Sequence, residues 1–132
     1  MSSSDVITKN GGIGRMQAVA VVGTLICNGS PASGVKLKLS ENVFLFDNYM
    51  GLTYTNANGQ FRISGAKREI TTIDPKLKIY HNCNYDGLCY QKFVVHIPQD
   101  YVNPGTVARR AYDIGTVDLT TEHPGQYVDC FN

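Results

Sequence analysis

The 132-residue chain carries 12 Lys and Arg against 11 Asp and Glu, for a formal net charge of +1, so no overall charge bias points to nucleic acid. That length predicts one domain with a core large enough to fold without help from cross-links. No stretch reaches the roughly 18 consecutive apolar residues of a membrane-spanning helix. Glycine is abundant at 13, tryptophan is absent, and Tyr, Phe and β-branched residues are plentiful. The four cysteines form no CxxC pair, and the step from Cys83 to Cys89 is too long for a usual zinc knuckle. Two disulfides, and hence an oxidising compartment, are expected in preference to buried free thiols.

Residues 1–15 are rich in Ser and Gly, lack the charged and apolar regions of a signal peptide, and read as a flexible N-terminal segment. Residues 16–132 are expected to form the folded domain. Gln17 to Cys27 is a strand with apolar side chains on both faces, which predicts an inner strand or one packed on a partner. Asn28-Gly29-Ser30-Pro31 turns the chain, and Val35 to Ser40 alternates cleanly, with Lys36 and Lys38 outward. Between Glu41 and Thr55 the Asp47-Asn48 pair interrupts two apolar clusters, giving a loop followed by a strand. Asn56 to Gly59 is a turn, and Gln60 to Ser64 the strand after it.

Lys76 to Cys83 alternates with Leu77, Ile79, His81 and Cys83 on one side and Lys76, Lys78, Tyr80 and Asn82 on the other. A loop bracketed by Cys83 and Cys89 leads to a second alternating run, Lys92 to Ile97. Tyr101 to Tyr112 is an ambiguous strand carrying Arg109-Arg110. Asp113 to Thr120 contains the last strand, and Pro124-Gly125 turns the tail toward Cys130. Short strands separated by turns, with at most one short helix, predict an all-β antiparallel sandwich of seven to eight strands.

The ordered set Val22-Gly23-Thr24-Leu25-Ile26-Cys27, Pro31-Ala32-Ser33-Gly34-Val35, Gly59-Gln60-Phe61, Ile79-Tyr80-His81-Asn82-Cys83, Ile97-Pro98-Gln99-Asp100-Tyr101-Val102 and Tyr112-Asp113-Ile114-Gly115 resembles the nematode transthyretin-like family, over roughly Arg15 to Cys130. The resemblance implies a transthyretin-like sandwich, secretion, and a binding role without catalysis, one proposed role being a bridge between phosphatidylserine on dying cells and a phagocyte receptor. The related hydrolases of 5-hydroxyisourate end in Tyr-Arg-Gly-Ser. This chain ends in Tyr127-Val128-Asp129-Cys130-Phe131-Asn132, which speaks against hydrolysis.

Several candidate sites follow. His81 shares the inward parity of Leu77 and Ile79 and reads as a core histidine. No histidines or carboxylates stand at metal or triad spacing, so neither metal nor cofactor is expected. Asn28-Gly29-Ser30 is a glycosylation acceptor pattern in a surface turn. Phe44, Phe46, Tyr49 and Met50 are either core or an exposed wedge for a bilayer or partner; core is the plainer reading, because bulky residues are costly to expose. The basic face consists of Lys36, Lys38, Lys76, Lys78 and Lys92, five of the seven lysines, with no acidic residue outward on the same three strands. In a transthyretin-like topology those strands are neighbours, and the lysines form a positive stripe, with Tyr80 or His96 as further donors.

With the role that the resemblance implies, the expected partners are an anionic membrane surface containing phosphatidylserine and a cell-surface receptor, with no nucleic acid and with room for a homodimer. An extracellular carrier of a small apolar ligand is the alternative. For the cysteines, alternating strand directions place all four sulfurs at one end and allow three pairings. Cys83–Cys89 closing the hairpin loop, with Cys27–Cys130 pinning the tail, is the expected one.

Overall fold

The computed structural model describes residues 13–43 and 46–131. Its elements are β1 (Arg15–Cys27), β2 (Ser30–Pro31), β3 (Lys36–Val43), β4 (Phe46–Tyr54), β5 (Gln60–Glu69), β6 (Asp74–His81), β7 (Tyr90–His96), a 3-10 turn (Gln99–Tyr101), β8 (Asn103–Pro104), β9 (Tyr112–Asp118) and β10 (Tyr127–Asp129). One sheet is centred on β1, which pairs with β2, β5, β8 and β9; the other runs β10-β7-β6-β3-β4. The all-β sandwich is the expected fold. It shows more strands than expected partly because β2 and β8 are separate pieces only two residues long.

Alternation decides which side chains fill the space between the sheets. Val19, Val21 and Leu25 of β1 and Phe61 and Ile63 of β5 meet Leu37 and Leu39 of β3, Leu77 and Ile79 of β6 and Phe93 of β7. Each such side chain contributes about 1.5–3 kcal/mol by leaving water. The apolarity on both faces of β1 has a matching cause: Ala18 and Ala20, on its other face, are buried too. Part of that outer face lies beside β8, where Asn103 donates to the Ala18 carbonyl, and Thr106 to Ala108 border a cleft with Arg62, Ser64 and Ala66 of β5. Where β4 and β5 bring the two sheets together, glycines permit contact between backbones. A Cβ at Gly65 would run into the Met50 carbonyl, and one at Gly51 would stand 2.8 Å from the Ser64 carbonyl.

Four expectations are corrected. First, Asp47-Asn48 does not interrupt a strand: β3 runs on to Val43 and β4 starts at Phe46, because Asp47 points to the outer face, where lysines neutralise it. Second, β9 runs parallel to β1, so the sandwich is not wholly antiparallel. Third, residues 101–112 are not one strand: after the two-residue β8 the chain crosses irregularly from Gly105 to Ala111 before β9 begins at Tyr112; Arg110 lies over the Tyr101 ring at 4.2 Å, which makes it a packing residue.

The fourth correction is the disulfide pairing. The bonds are Cys27–Cys83 and Cys89–Cys130, with Cα–Cα distances of 5.9 and 4.6 Å, and not Cys83–Cys89 with Cys27–Cys130. By count Cys83 stands opposite Cys89, but the β6–β7 ladder ends at His81↔Gln91. The chain then turns at Asn84, whose φ is 54°. Cys83 donates its N–H to His81 Nδ1, and the Asn28 and Asn84 amides bond reciprocally at 2.8 and 3.2 Å, which holds Cys83 beside the end of β1. Cys89 is then taken by the tail, because the Tyr90↔Asp129 register of β7 and β10 continues directly to Cys89 and Cys130.

Candidate functional site: a lysine-rich sheet face

The outward face of the second sheet gathers all five lysines of the expected stripe. Strands β3, β6 and β7 are adjacent and interior, as the topology requires. The registers arrange the face in rows. One row runs Tyr54, Lys36, Tyr80, Lys92, Tyr127; the next runs Leu52, Lys38, Lys78, Val94; the third runs Tyr49, Ser40, Lys76, His96. With strands about 4.8 Å apart, the lysines span about 10 Å of sheet.

Tyr80 is the hub of this face. The ammonium groups of Lys36, Lys38 and Lys92 lie 5.9, 5.6 and 5.4 Å from its ring centre. Ring and lysine stems cover one another, so Tyr80 is buried at an outward position, and that burial raises its hydroxyl pKa. Lys38 stands directly opposite Lys78. Like charges so paired destabilise a sheet. Partial burial, followed by Lys36, Lys78 and Lys92, lowers the Lys38 pKa.

Edge strands bring anions that alternation within the three interior strands does not reveal. Asp47 of β4 bonds to Lys78 and lies 3.7 Å from Lys76. Burial alone would raise its pKa, but Lys78, Ser40 and Lys76 together hold it below the usual carboxylate value. Asp129 of β10 lies 3.3 Å from Lys92. Burial likewise opposes ionisation at Lys92, yet Tyr127, Tyr80 and Asp129 hold its pKa up. β6 also starts at Asp74 rather than Lys76, which adds another carboxylate at the rim. The stripe is thus a lysine field with aspartates at its margins rather than a face free of acids. The signal for Asp47 is its outward parity, which emerges only when β3 continues past Ser40 to Val43 and β4 pairs with it from Phe46.

The apolar cluster divides. Phe46 and Tyr49 are 70% and 61% exposed, contrary to the core reading, because they lie on edge strand β4. Met50 is partly buried against the core. Phe44 lies outside the described residues. Tyr49, Leu52 and Tyr54 therefore form an exposed row on one margin of the lysine field, and Tyr127 stands on the other.

The remaining candidates lie elsewhere. Asn28 is exposed in the β1–β2 turn, and its amide nitrogen, where a glycan would attach, donates to Asn84. His96 is exposed at the end of the third row. His81 is buried and accepts from the Cys83 N–H through Nδ1, which fixes the neutral tautomer with its proton on Nε2. Burial lowers its pKa, and His123 adds to the effect against an opposing contribution from Gln126. His123 itself stacks on Phe93 at 4.2 Å.

Known proteins share this chain's pattern. The profile of the transthyretin-like family, TTR-52, matches residues 22–98. Transthyretin-like protein 5 of Caenorhabditis elegans is 46% identical over 124 residues, covering 91% of this chain and 88% of that relative. Transthyretin-like protein 2 of the same organism is 40% identical over 129 residues, covering 91% and 86%. Transthyretin-like protein 1, again from Caenorhabditis elegans, is 39% identical over 121 residues, covering 84% and 77%. With the sandwich, the sheet order and these matches in agreement, the chain belongs to the transthyretin-like family.

Proposed function

We propose that this protein is a secreted, non-enzymatic binding protein whose lysine-rich sheet face docks on phosphatidylserine at the surface of dying cells and presents the rest of the molecule to a phagocyte receptor. The observation that supports this best is the like-charge pair Lys38↔Lys78 inside a sheet, with two further lysines around the same tyrosine. Interior strands have no open edge, so lysines are not required there to discourage pairing with other chains. Asp47 and Asp129 offset part of the electrostatic cost of this face at Lys78 and Lys92, and an anionic partner would offset more of it. Near an anionic leaflet each lysine is worth about 1 kcal/mol, so several together give useful, salt-sensitive affinity. Two disulfides suit an oxidising, extracellular setting.

An apolar-ligand carrier has less support. Clefts such as that lined by Val22, Thr24, Phe61 and Asp113 hold about 270 Å3 and are open, and the recess beside the Cys27–Cys83 bond holds about 120 Å3. Drug-sized ligands usually occupy about 300–1,000 Å3. The direct test replaces Lys36, Lys38, Lys76 and Lys78 with Gln and measures sedimentation with phosphatidylserine vesicles. The expected result is loss of binding with an unchanged β-sheet spectrum. Binding equal to the parent's would refute the reading and shift attention to Phe46 and Tyr49.

A further inference from the structure

We propose that the recess between Lys38, Ser40, Tyr49 and Lys78 is a seat for one phosphate group, and that Asp47 is an internal anion which holds the seat until a phosphate displaces it. The proposal rests on the reading of this face as an anion-binding surface; it adds where the anion sits and what sets its affinity. The recess holds about 110 Å3 and is lined by Lys38, Leu39, Ser40, Asp47, Tyr49 and Lys78. Three strands build it, since β3 supplies the floor, edge strand β4 one wall and β6 the other.

The donors suit a tetrahedral anion. Lys78 and Lys76 already converge on the Asp47 carboxylate, so the recess binds an anion in the protein's resting form. Ser40 adds a hydroxyl whose oxygen is buried and makes no hydrogen bond of ordinary geometry among the described residues, although it lies near Asp47. Ser40 already helps hold the Asp47 carboxylate in its charged form, and the same hydroxyl would serve a ligand oxygen once Asp47 leaves. A phosphate offers more acceptor oxygens than a carboxylate and can engage ammonium and hydroxyl donors together. Asp47 is well placed to yield. Its side chain retains 40% of its accessible surface and sits on an edge strand, so it can leave for water without disturbing the sheet interior.

Asp47 thereby does two things. It keeps the lysine side chains oriented when no ligand is bound, and it lowers affinity because every phosphate must compete with it. The comparison residue is Asp129, which neutralises Lys92 on the same face at 3.3 Å but lies outside the recess.

The experiment compares the full chain with Asp47→Asn and Asp129→Asn at one salt concentration. Its probes are vesicles containing phosphatidylserine and, separately, inorganic phosphate. Both substitutions remove one negative charge from the face, so the change in net charge is the same for each. The seat predicts that Asp47→Asn tightens vesicle binding by more than the roughly fivefold that one lost negative charge gives by itself, and by more than Asp129→Asn does. It further predicts that Ser40→Ala in the Asp47→Asn background reverses part of the gain. A parallel gain for inorganic phosphate means that the seat takes phosphate from any source, and a gain for vesicles alone means a lipid headgroup. Equal gains from the two aspartate variants, or none from Asp47→Asn, overturn the seat while leaving the basic face in place. If neither parent nor variant binds vesicles or phosphate, the reading of the face falls as well.

Discussion

Replacing Glu41 with Gln stabilises the protein by roughly 3 kcal/mol at pH 8 and by under about 1 kcal/mol at pH 5. Glu41 follows Leu37 and Leu39 on the inward side of β3 and is 0% exposed. Neither carboxylate oxygen makes a hydrogen bond of ordinary geometry among the described residues. The groups facing it are Glu69 and Lys67 of β5 and Asn48 of β4. Burial first, and then Glu69, raises its pKa from 4.5 to about 7, with Asn48 and Lys67 opposing. A folded-state pKa above the unfolded one adds stability that is complete below about 4.5 and lost as pH rises through about 7. At pH 8 the native protein therefore carries a buried charge, and Gln removes it. Urea unfolding of parent and variant at the two pH values measures the difference. An equal increment at both would mean that Glu41 is ionised without cost.

Removing Cys27–Cys83 by paired substitution to Ala costs about 4 kcal/mol, the loop-entropy value for a closure of this size. The bond spans 56 residues and ties the end of β1 in one sheet to the end of β6 in the other. Cutting it frees the unfolded chain while the rest of the sandwich still holds the two ends together, so the entropic gain goes to the unfolded state. Cys89–Cys130 spans 41 residues and by the same formula is worth nearly as much. Its loss should nevertheless cost far less. It holds only the three-residue β10 against β7, supported by the Lys92–Asp129 ion pair. Without it the tail undocks in the native protein too, and the entropy is gained on both sides. Denaturant midpoints of the two double variants, with amide exchange at Tyr127 to Asp129, test the contrast. Equal losses of stability would contradict it.

Much of this architecture is legible in the sequence because it follows from parity. Leu77, Ile79 and His81 fall inward and Lys76, Lys78 and Tyr80 outward, so alternation alone identifies the basic face. It does not establish that the three strands are neighbours; that expectation comes from the family resemblance. Pattern misleads where tertiary context overrides it. Glu41 breaks the apolar alternation, yet the strand continues through it to Val43, and that break conceals both Asp47 and the exposed margin of Phe46 and Tyr49. The disulfide expectation fails for a similar reason. Sequence proximity favours Cys83–Cys89, while a left-handed turn at Asn84 and the short β10 in the tail decide otherwise.

If the lysine face binds anionic lipid by charge, salt must control that binding. The most direct measurement is sedimentation of the parent protein with phosphatidylserine vesicles and with phosphatidylcholine vesicles across a range of salt. The Debye length shrinks from about 10 Å at 0.1 M to about 3 Å at 1 M. The expected outcome is binding to phosphatidylserine vesicles at low salt, its loss well before about 1 M, and none to phosphatidylcholine. Binding that persists at high salt, or that is equal for the two lipids, would show that charge on this face does not drive it.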